Sequence, residues 1–377
     1  MRQDIPLGRV AGIRVGANWT VAIILMLIAW LLGESVLPAA APHKPAALYW
    51  TVAVIAAALF LASLFAHELS HALVARRNGI TVRAITLWMI GGITELEGQP
   101  PDAGADLRIA VVGPVTSVAA GGLFVGVAAV VGQFGGTAVV TAAATWLGLM
   151  NGMLAVFNML PGAPLDGGRV LRSLLWRHYR DRGRAENAAA RAGQYLGAGM
   201  VGIGIAGFLF WNVLDGLWLI MVGWFLSSAA GQEKQAAAAA SALEGVRVAD
   251  VMMTDPQVAR GWSTVQDFVD GVAAWSRQDA FPVLSFDGTL TGLVLTGMLG
   301  SIPPGDRARL RIDQVALDVP PQYRAAPSDP AGPLLGRRPL GGEVAAIVMT
   351  EGRVVGMVAV SDLRQAVRRR RLATTPA

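Results

Sequence analysis

The sequence has no cysteine, four histidines and, among 31 basic residues, only two lysines, Lys44 and Lys234. Without thiols, neither a disulfide nor a thiolate metal site is available, so a transition metal would rest on histidine and carboxylate. Charge is scarce as well. At 15% charged and 54% hydrophobic, the composition excludes an ordinary soluble protein and indicates a polytopic α-helical membrane protein. The formal charge of +5 does not point to nucleic acid, because the arginines cluster beside apolar runs, as in cytoplasmic anchoring of a membrane protein.

What is present is a series of long apolar runs. Crossing a bilayer as a helix takes roughly 20 such residues. Residues 15–33, 46–66, 109–131 and 137–160 each supply one span, and residues 192–231, with Asp215 as their one charge, supply two joined by a turn at 211–216. Six transmembrane helices result. Arg2, Arg9 and Arg14 precede the first; Arg76, Arg77, Arg83 and Arg108 lie between the second and third; a cluster from Arg169 to Arg191 lies between the fourth and fifth. Positive loops stay inside. The expected location is therefore a bacterial cell membrane, multi-pass, with both termini cytoplasmic and the first run retained as a span.

After a helical, alanine-rich linker at 232–244 the composition changes to short strands, prolines and glycines. The expected division is a six-span domain over 1–231, that linker, and an α/β domain over 245–377. The last contains a weak internal repeat, each half ending in a hairpin whose turn is Asp287-Gly288 or Glu351-Gly352 and then a helix.

Chemistry enters with "HELSH", residues 67–71, at the end of the second apolar run. On a helix His67 and His71 share one face a turn apart, as chelation of one ion requires. Glu68 is beside them, placed to act as general base toward a water acidified by zinc. Counted from Arg76 at about 1.5 Å per residue, His71 lies about 8 Å and His67 about 13 Å inside the cytoplasmic boundary. A catalytic zinc needs a third ligand. The fourth run ends in "NMLPGAPLDGGRVL", residues 158–171, where Asn158 sits near the membrane end and proline and glycine unwind the chain before Asp166. Asp-Gly is also an ordinary turn pair, and Asn158 would serve equally as a contact between helices. Of the other acids, Glu34 and Asp215 fall on the opposite side, and Glu95, Glu97, Asp102 and Asp106 are read as a loop with no comparable frame. Residues 81–98, "TVRAITLWMIGGITELEG", read either as a membrane-associated β-hairpin turning at Gly91-Gly92 or as an amphipathic loop.

HELSH together with NMLPGAPLDGG resembles the two motifs of the site-2 protease family of intramembrane zinc metalloproteases. "GGITELEG" is similar to that family's glycine pair and "GPVTSVAAG", residues 113–121, to its GPxxS segment. The resemblance covers residues 1–231 and implies one zinc per chain on His67, His71 and Asp166, Glu68 as base, Asn158 assisting at the transition state, and single-span membrane substrates such as anti-sigma factors. The tail resembles a pair of cystathionine-β-synthase-type (CBS) domains, which implies adenine nucleotide at Asp362 and a homodimer through the tails. It departs from that pattern where Ala359 replaces a hydroxyl residue and Met298 replaces the acid in the first repeat. Such tails also occur on ion channels and transporters, so a CBS-gated metal or ion carrier is the rival reading.

Overall fold

The computed structural model describes residues 4–89, 91–210 and 212–374; Arg2 and Trp211 lie outside them. Six helices are long and apolar enough to cross a bilayer: α1 (Thr20–Ala40), α2 (Ala46–Arg77), α3 (Ala103–Gln133), α4 (Ala138–Asn158), α6 (Arg182–Phe210) and α7 (Val213–Ala242). Between α4 and α6 runs α5 (Asp166–Tyr179). Much of the outer surface of the six is apolar: Met26, Leu123, Leu209 and Trp224 are each about two-thirds exposed or more. In water that would be a large uncompensated cost, whereas against lipid tails it is the expected surface.

Chain contacts separate two units, one ending at Gln235 and the other starting at Ala236. α7 passes through that boundary without a break, because the alanine run after Gly231 has strong helix propensity. The break between α6 and α7 is tighter than residues 211–216, since Gly216 is already helical.

A four-stranded sheet is built into the first unit, in the order β1 (Ile5–Val10), β2 (Ile13–Ala17), β3 (Thr81–Trp88), β4 (Gly91–Glu97). Two features correct the sequence reading. The first span starts at Thr20 rather than at 15, because Arg14–Ala17 pair in parallel with Ala84–Leu87; the alternation that buries Ile13 and Val15 is a strand signal inside an apolar run. The second concerns the hairpin, which forms but turns earlier than Gly91-Gly92. Trp88 pairs with Gly91, and both glycines belong to β4.

α2 continues beyond the expected end of the second span at Ala66 and carries the whole HELSH segment before it stops at Arg77. Arg76 and Arg77 occupy its last turn, where cations suit the carbonyl end of the helix. Gly79, in the left-handed region with a φ of 79°, then lets the chain reverse into β3. Asp102 and Asp106 are not in a loop. Asp102 caps α3, its Oδ1 accepting from the Ala105 N–H at 2.8 Å, and Asp106 lies fully buried in the first turn.

In the second unit each half forms a hairpin with a short parallel strand on one edge. β7 (Ala280–Leu284) and β8 (Leu290–Leu295) carry β6 (Ala259–Arg260); β10 (Val344–Thr350) and β11 (Arg353–Ala359) carry β9 (Arg324–Ala325), with β5 (Met253–Thr254) on the far side of β11. Both expected turns are present. Glu351 and Gly352 have φ values of 51° and 81°, the left-handed pair that a two-residue hairpin turn needs. Leu290 and Leu293 of one hairpin share a core with Val344, Ile347 and Met357 of the other. A helix follows each hairpin, α8 (Thr296–Ser301) and α9 (Val360–Thr374).

Phe281 is fully buried and meets Phe268 edge-on at 5.1 Å. Phe281→Ala should destabilise the second unit by about 3–5 kcal/mol. Hydrogen-exchange mass spectrometry checks this: faster exchange confined to peptides after residue 245 is expected, and unchanged protection there would contradict the assigned core.

Candidate active site

Within α2 the two imidazoles are buried, His67 at 2% and His71 at 6% exposure. A buried polar group is costly unless it is hydrogen-bonded, and α3 supplies both partners. His71 donates from Nδ1 to the Ile109 carbonyl at 2.6 Å, and His67 Nδ1 lies 2.8 Å from the Ser117 hydroxyl. Engaging Nδ1 leaves the other ring nitrogen free to face the cavity. Both Nε2 atoms accordingly point inward, 3.2 Å apart. Pro114, inside α3, cannot donate back to Ala110, so the helix ladder is interrupted beside the carbonyl that His71 uses.

The third group comes from α5. α4 ends at Asn158, and the chain then passes through the 159–165 segment to Asp166, the first residue of the next helix. Asp-Gly here is a helix start rather than a reverse turn. The paired glycines allow close approach: a Cβ at Gly167 would stand 2.3 Å from the Met159 carbonyl oxygen, and one at Gly168 2.4 Å from the Ala163 nitrogen. Any side chain would lift α5 off its loop and withdraw Asp166. As built, Asp166 Oδ2 lies 3.2 Å from each Nε2. Burial alone would push this carboxyl up, but the two imidazole edges beside it outweigh that and lower it to about 2, toward the ionised form that a cation would take.

The three ligand atoms therefore form a triangle with edges of 3.2 Å. A tetrahedral centre with bonds of about 2.0 Å has edges of about 3.3 Å, so the set fits zinc. Space beside the triangle is kept open by Gly113, where a Cβ would stand 2.2 Å from His71 Nε2 and 2.6 Å from His67 Nε2.

Glu68 lies in the same cavity of about 260 Å³, together with Gly92, Thr94, Asn158, Asp166 and Arg169. Its Oε2 accepts from the Thr94 hydroxyl at 3.0 Å, and β4 lies so close that a Cβ on Gly92 would reach 2.2 Å from Glu68 Cγ. That approach gives a physical reason for glycine there. Every residue expected in the first unit's site, His67, Glu68, His71, Asn158 and Asp166, is thus brought together. Ile109, Ser117 and Thr94 were not singled out. Their partners are distant in sequence, and only the GPxxS spacing pointed toward Ser117.

Asp362 belongs to the second unit, where its Oδ2 accepts from the Ala359 N–H at 2.8 Å and so caps α9. Burial pushes its carboxyl up, with the Ala359 hydrogen bond opposing.

Two buried histidines on a membrane-length helix, with a half-buried carboxylate from α5 and a glutamate beside them, form the donor set of a membrane metallohydrolase. Comparison with known proteins gives the family. Peptidase family M50 matches over residues 55–142 and 132–201. Rip3 of Mycobacterium tuberculosis, whose name describes a zinc metalloprotease, is 40% identical over 99% of this chain and 95% of its own. The structure of the site-2 protease from Methanocaldococcus jannaschii is 29% identical with a TM-score of 0.42, covering 61% of this chain and 94% of that one. The CBS domain of a membrane protein from Sphaerobacter thermophilus is 23% identical with a TM-score of 0.29, covering 36% and 96%. The chain belongs to the M50, or site-2 protease, family, and it is a multi-pass zinc metalloprotease.

Because the Gly113 gap is where an ion would be seated, Gly113→Ala should lower zinc affinity by at least the roughly 10–100-fold typical of disturbing a metal's surroundings. Gly122→Ala, with nothing within 4 Å of its Cβ, is the control. Zinc content by atomic absorption checks this, and parental content in Gly113→Ala would contradict the placement.

Proposed function

We propose that the chain cleaves a peptide bond in the transmembrane segment of a single-span regulatory protein, with one zinc held by His67, His71 and Asp166. The observation that carries this reading is the 3.2 Å triangle of two Nε2 atoms and one carboxylate oxygen beside Glu68. Zinc bound there would supply Lewis acidity, polarising the scissile carbonyl and acidifying water.

The chain's own residues supply the rest. Glu68, oriented through Oε2 by Thr94, takes the proton of the attacking water on its other oxygen and passes it to the leaving amine. Asn158, uncharged and lining the same cavity, donates to the developing oxyanion. The substrate must be extended, since a helix hides its carbonyls in its own hydrogen bonds. β4 is an edge strand, paired on one side with β3, and it passes directly over Glu68. An unwound segment added along that edge gains backbone hydrogen bonds and presents its carbonyls to the cavity. Anti-sigma factors are the substrate class that the family resemblance implies. The arginines flanking the spans support a bacterial cell membrane location with both termini inside.

Residues 245–377, within the second unit, take the role of a CBS-type regulatory pair in this reading. It contains no histidine, and in this reading all three zinc ligands come from the first unit. Its two similar halves favour pairing between chains as a homodimer. Adenine nucleotide binding is weak and depends on Asp362, whose carboxylate is already engaged with Ala359.

Glu68→Gln should keep one zinc per chain and lose cleavage of a single-span peptide by about 10²–10⁴-fold, since only proton transfer is removed. Asp166→Ala should lose both. The assay is peptide cleavage in detergent with and without a chelator, alongside metal analysis. Parental cleavage by Glu68→Gln would remove its role as base, and absence of chelator-sensitive cleavage by the parent would favour a carrier.

A further inference from the structure

Asp106 is an acid that neither the metal set nor the proton transfer uses, yet it is fully buried. Its carboxylate is surrounded by α5. Arg172 donates to it twice, from Nε at 2.9 Å and from Nη2 at 2.7 Å, the Ser173 hydroxyl lies at 3.0 Å, and Arg169 Nη2 at 3.5 Å. Paired, bidentate contacts of this kind are short and directional, and a buried carboxylate persists only with such partners.

The spacing gives this cluster its meaning. Asp106 stands seven residues before Gly113 on α3, and Ser173 stands seven residues after Asp166 on α5. Seven residues are about two turns, or about 10.5 Å, and return to the same helix face. α3 and α5 are therefore joined at two levels in opposite chain directions. At one level, the α2 histidines, which face Gly113 and are held by Ile109 and Ser117 of α3, meet Asp166. At the other, Asp106 meets Arg172 and Ser173. Displacing α5 by one residue would shift Asp166 by about 1.5 Å and rotate it by about 100°. That would dismantle the 3.2 Å triangle. The loop leading into α5 carries two prolines and one glycine, so nothing N-terminal to Asp166 is a regular element until α4.

We propose that Asp106 is a positioning residue for the third ligand. By gripping Arg172 and Ser173 it fixes the register of α5 against α3 and so holds Asp166 at the metal position. It touches no reacting atom. Arg172 also approaches Glu186 at 3.8 Å, and Glu186 accepts from Arg182 Nε at 2.8 Å, so the grip extends to the start of α6. The inference rests on the zinc assignment above.

The test is zinc affinity, measured by chelator competition on full-length protein in detergent, for Asp106→Asn, Asp106→Glu and Arg172→Lys. Asp106→Asn should weaken zinc binding roughly 10–100-fold, and Arg172→Lys, which keeps the charge and loses the two-pronged contact, by a smaller factor. Asp106→Glu should recover part of the loss, and excess zinc should restore most cleavage. Leu147→Ala, a core change in α4, supplies a control with lowered melting temperature and an intact cluster; it should keep parental affinity. Affinity within twofold of the parent in folded Asp106→Asn, or in Arg172→Lys if the first does not fold, would overturn the proposal. So would an equal zinc loss in Leu147→Ala at matched melting temperature. Failure of the parent to bind zinc would instead strike the functional reading itself.

Discussion

Two imidazoles in an apolar interior each need a second hydrogen-bond partner, and the rest of the catalytic unit is arranged around meeting that need. α3 supplies a backbone carbonyl for His71 and a hydroxyl for His67. That choice decides which ring nitrogen faces the cavity. It also requires α3 to run closely beside α2, which a residue larger than glycine at 113 would prevent. The orientation of the two imidazoles, the space between them and the packing of two membrane helices are thus one constraint.

The carboxylate proposed as third ligand arrives by a different route. A long span such as α4 cannot bend sharply enough to return a carboxylate to the site while keeping its hydrogen-bond ladder. The chain instead ends that helix at Asn158, crosses a short irregular stretch, and starts α5 with Asp166. An aspartate in the first turn of a helix also sits at the favourable end of the helix dipole. Irregular backbone at membrane depth is tolerated where it lines a polar cavity or is packed in protein. Here the stretch packs against α6, with Ala163 N–H donating to the Ala189 carbonyl at 3.3 Å.

The parts legible in the sequence were those whose physics is local. Five apolar runs, the last long enough for two spans, mark six helices, because length and hydropathy are read from the sequence directly. His67 and His71 share a face because four residues make about one turn, and the DG and EG pairs of the tail mark its turns. What was missed depends on partners far along the chain. β2 lay hidden inside an apolar run because its partner β3 comes only after two whole membrane helices. Gly91 and Gly92 look like a turn until Glu68, on another element, is found against Gly92. Asp106 reads as a loop acid because its partners Arg172 and Ser173 lie more than 60 residues along the chain, and Arg172 falls in a cluster that reads as cytoplasmic anchoring charge.

In the proposed function, two imidazoles of α2 and the carboxylate that begins α5 enclose one zinc. X-ray absorption at the zinc edge of the purified parental protein tests it most directly. A four-coordinate centre is expected, with two imidazole scattering paths at about 2.0–2.1 Å and the remaining light atoms as oxygen at about 2.0–2.2 Å. A spectrum with one or no imidazole, or with three or more, would contradict it.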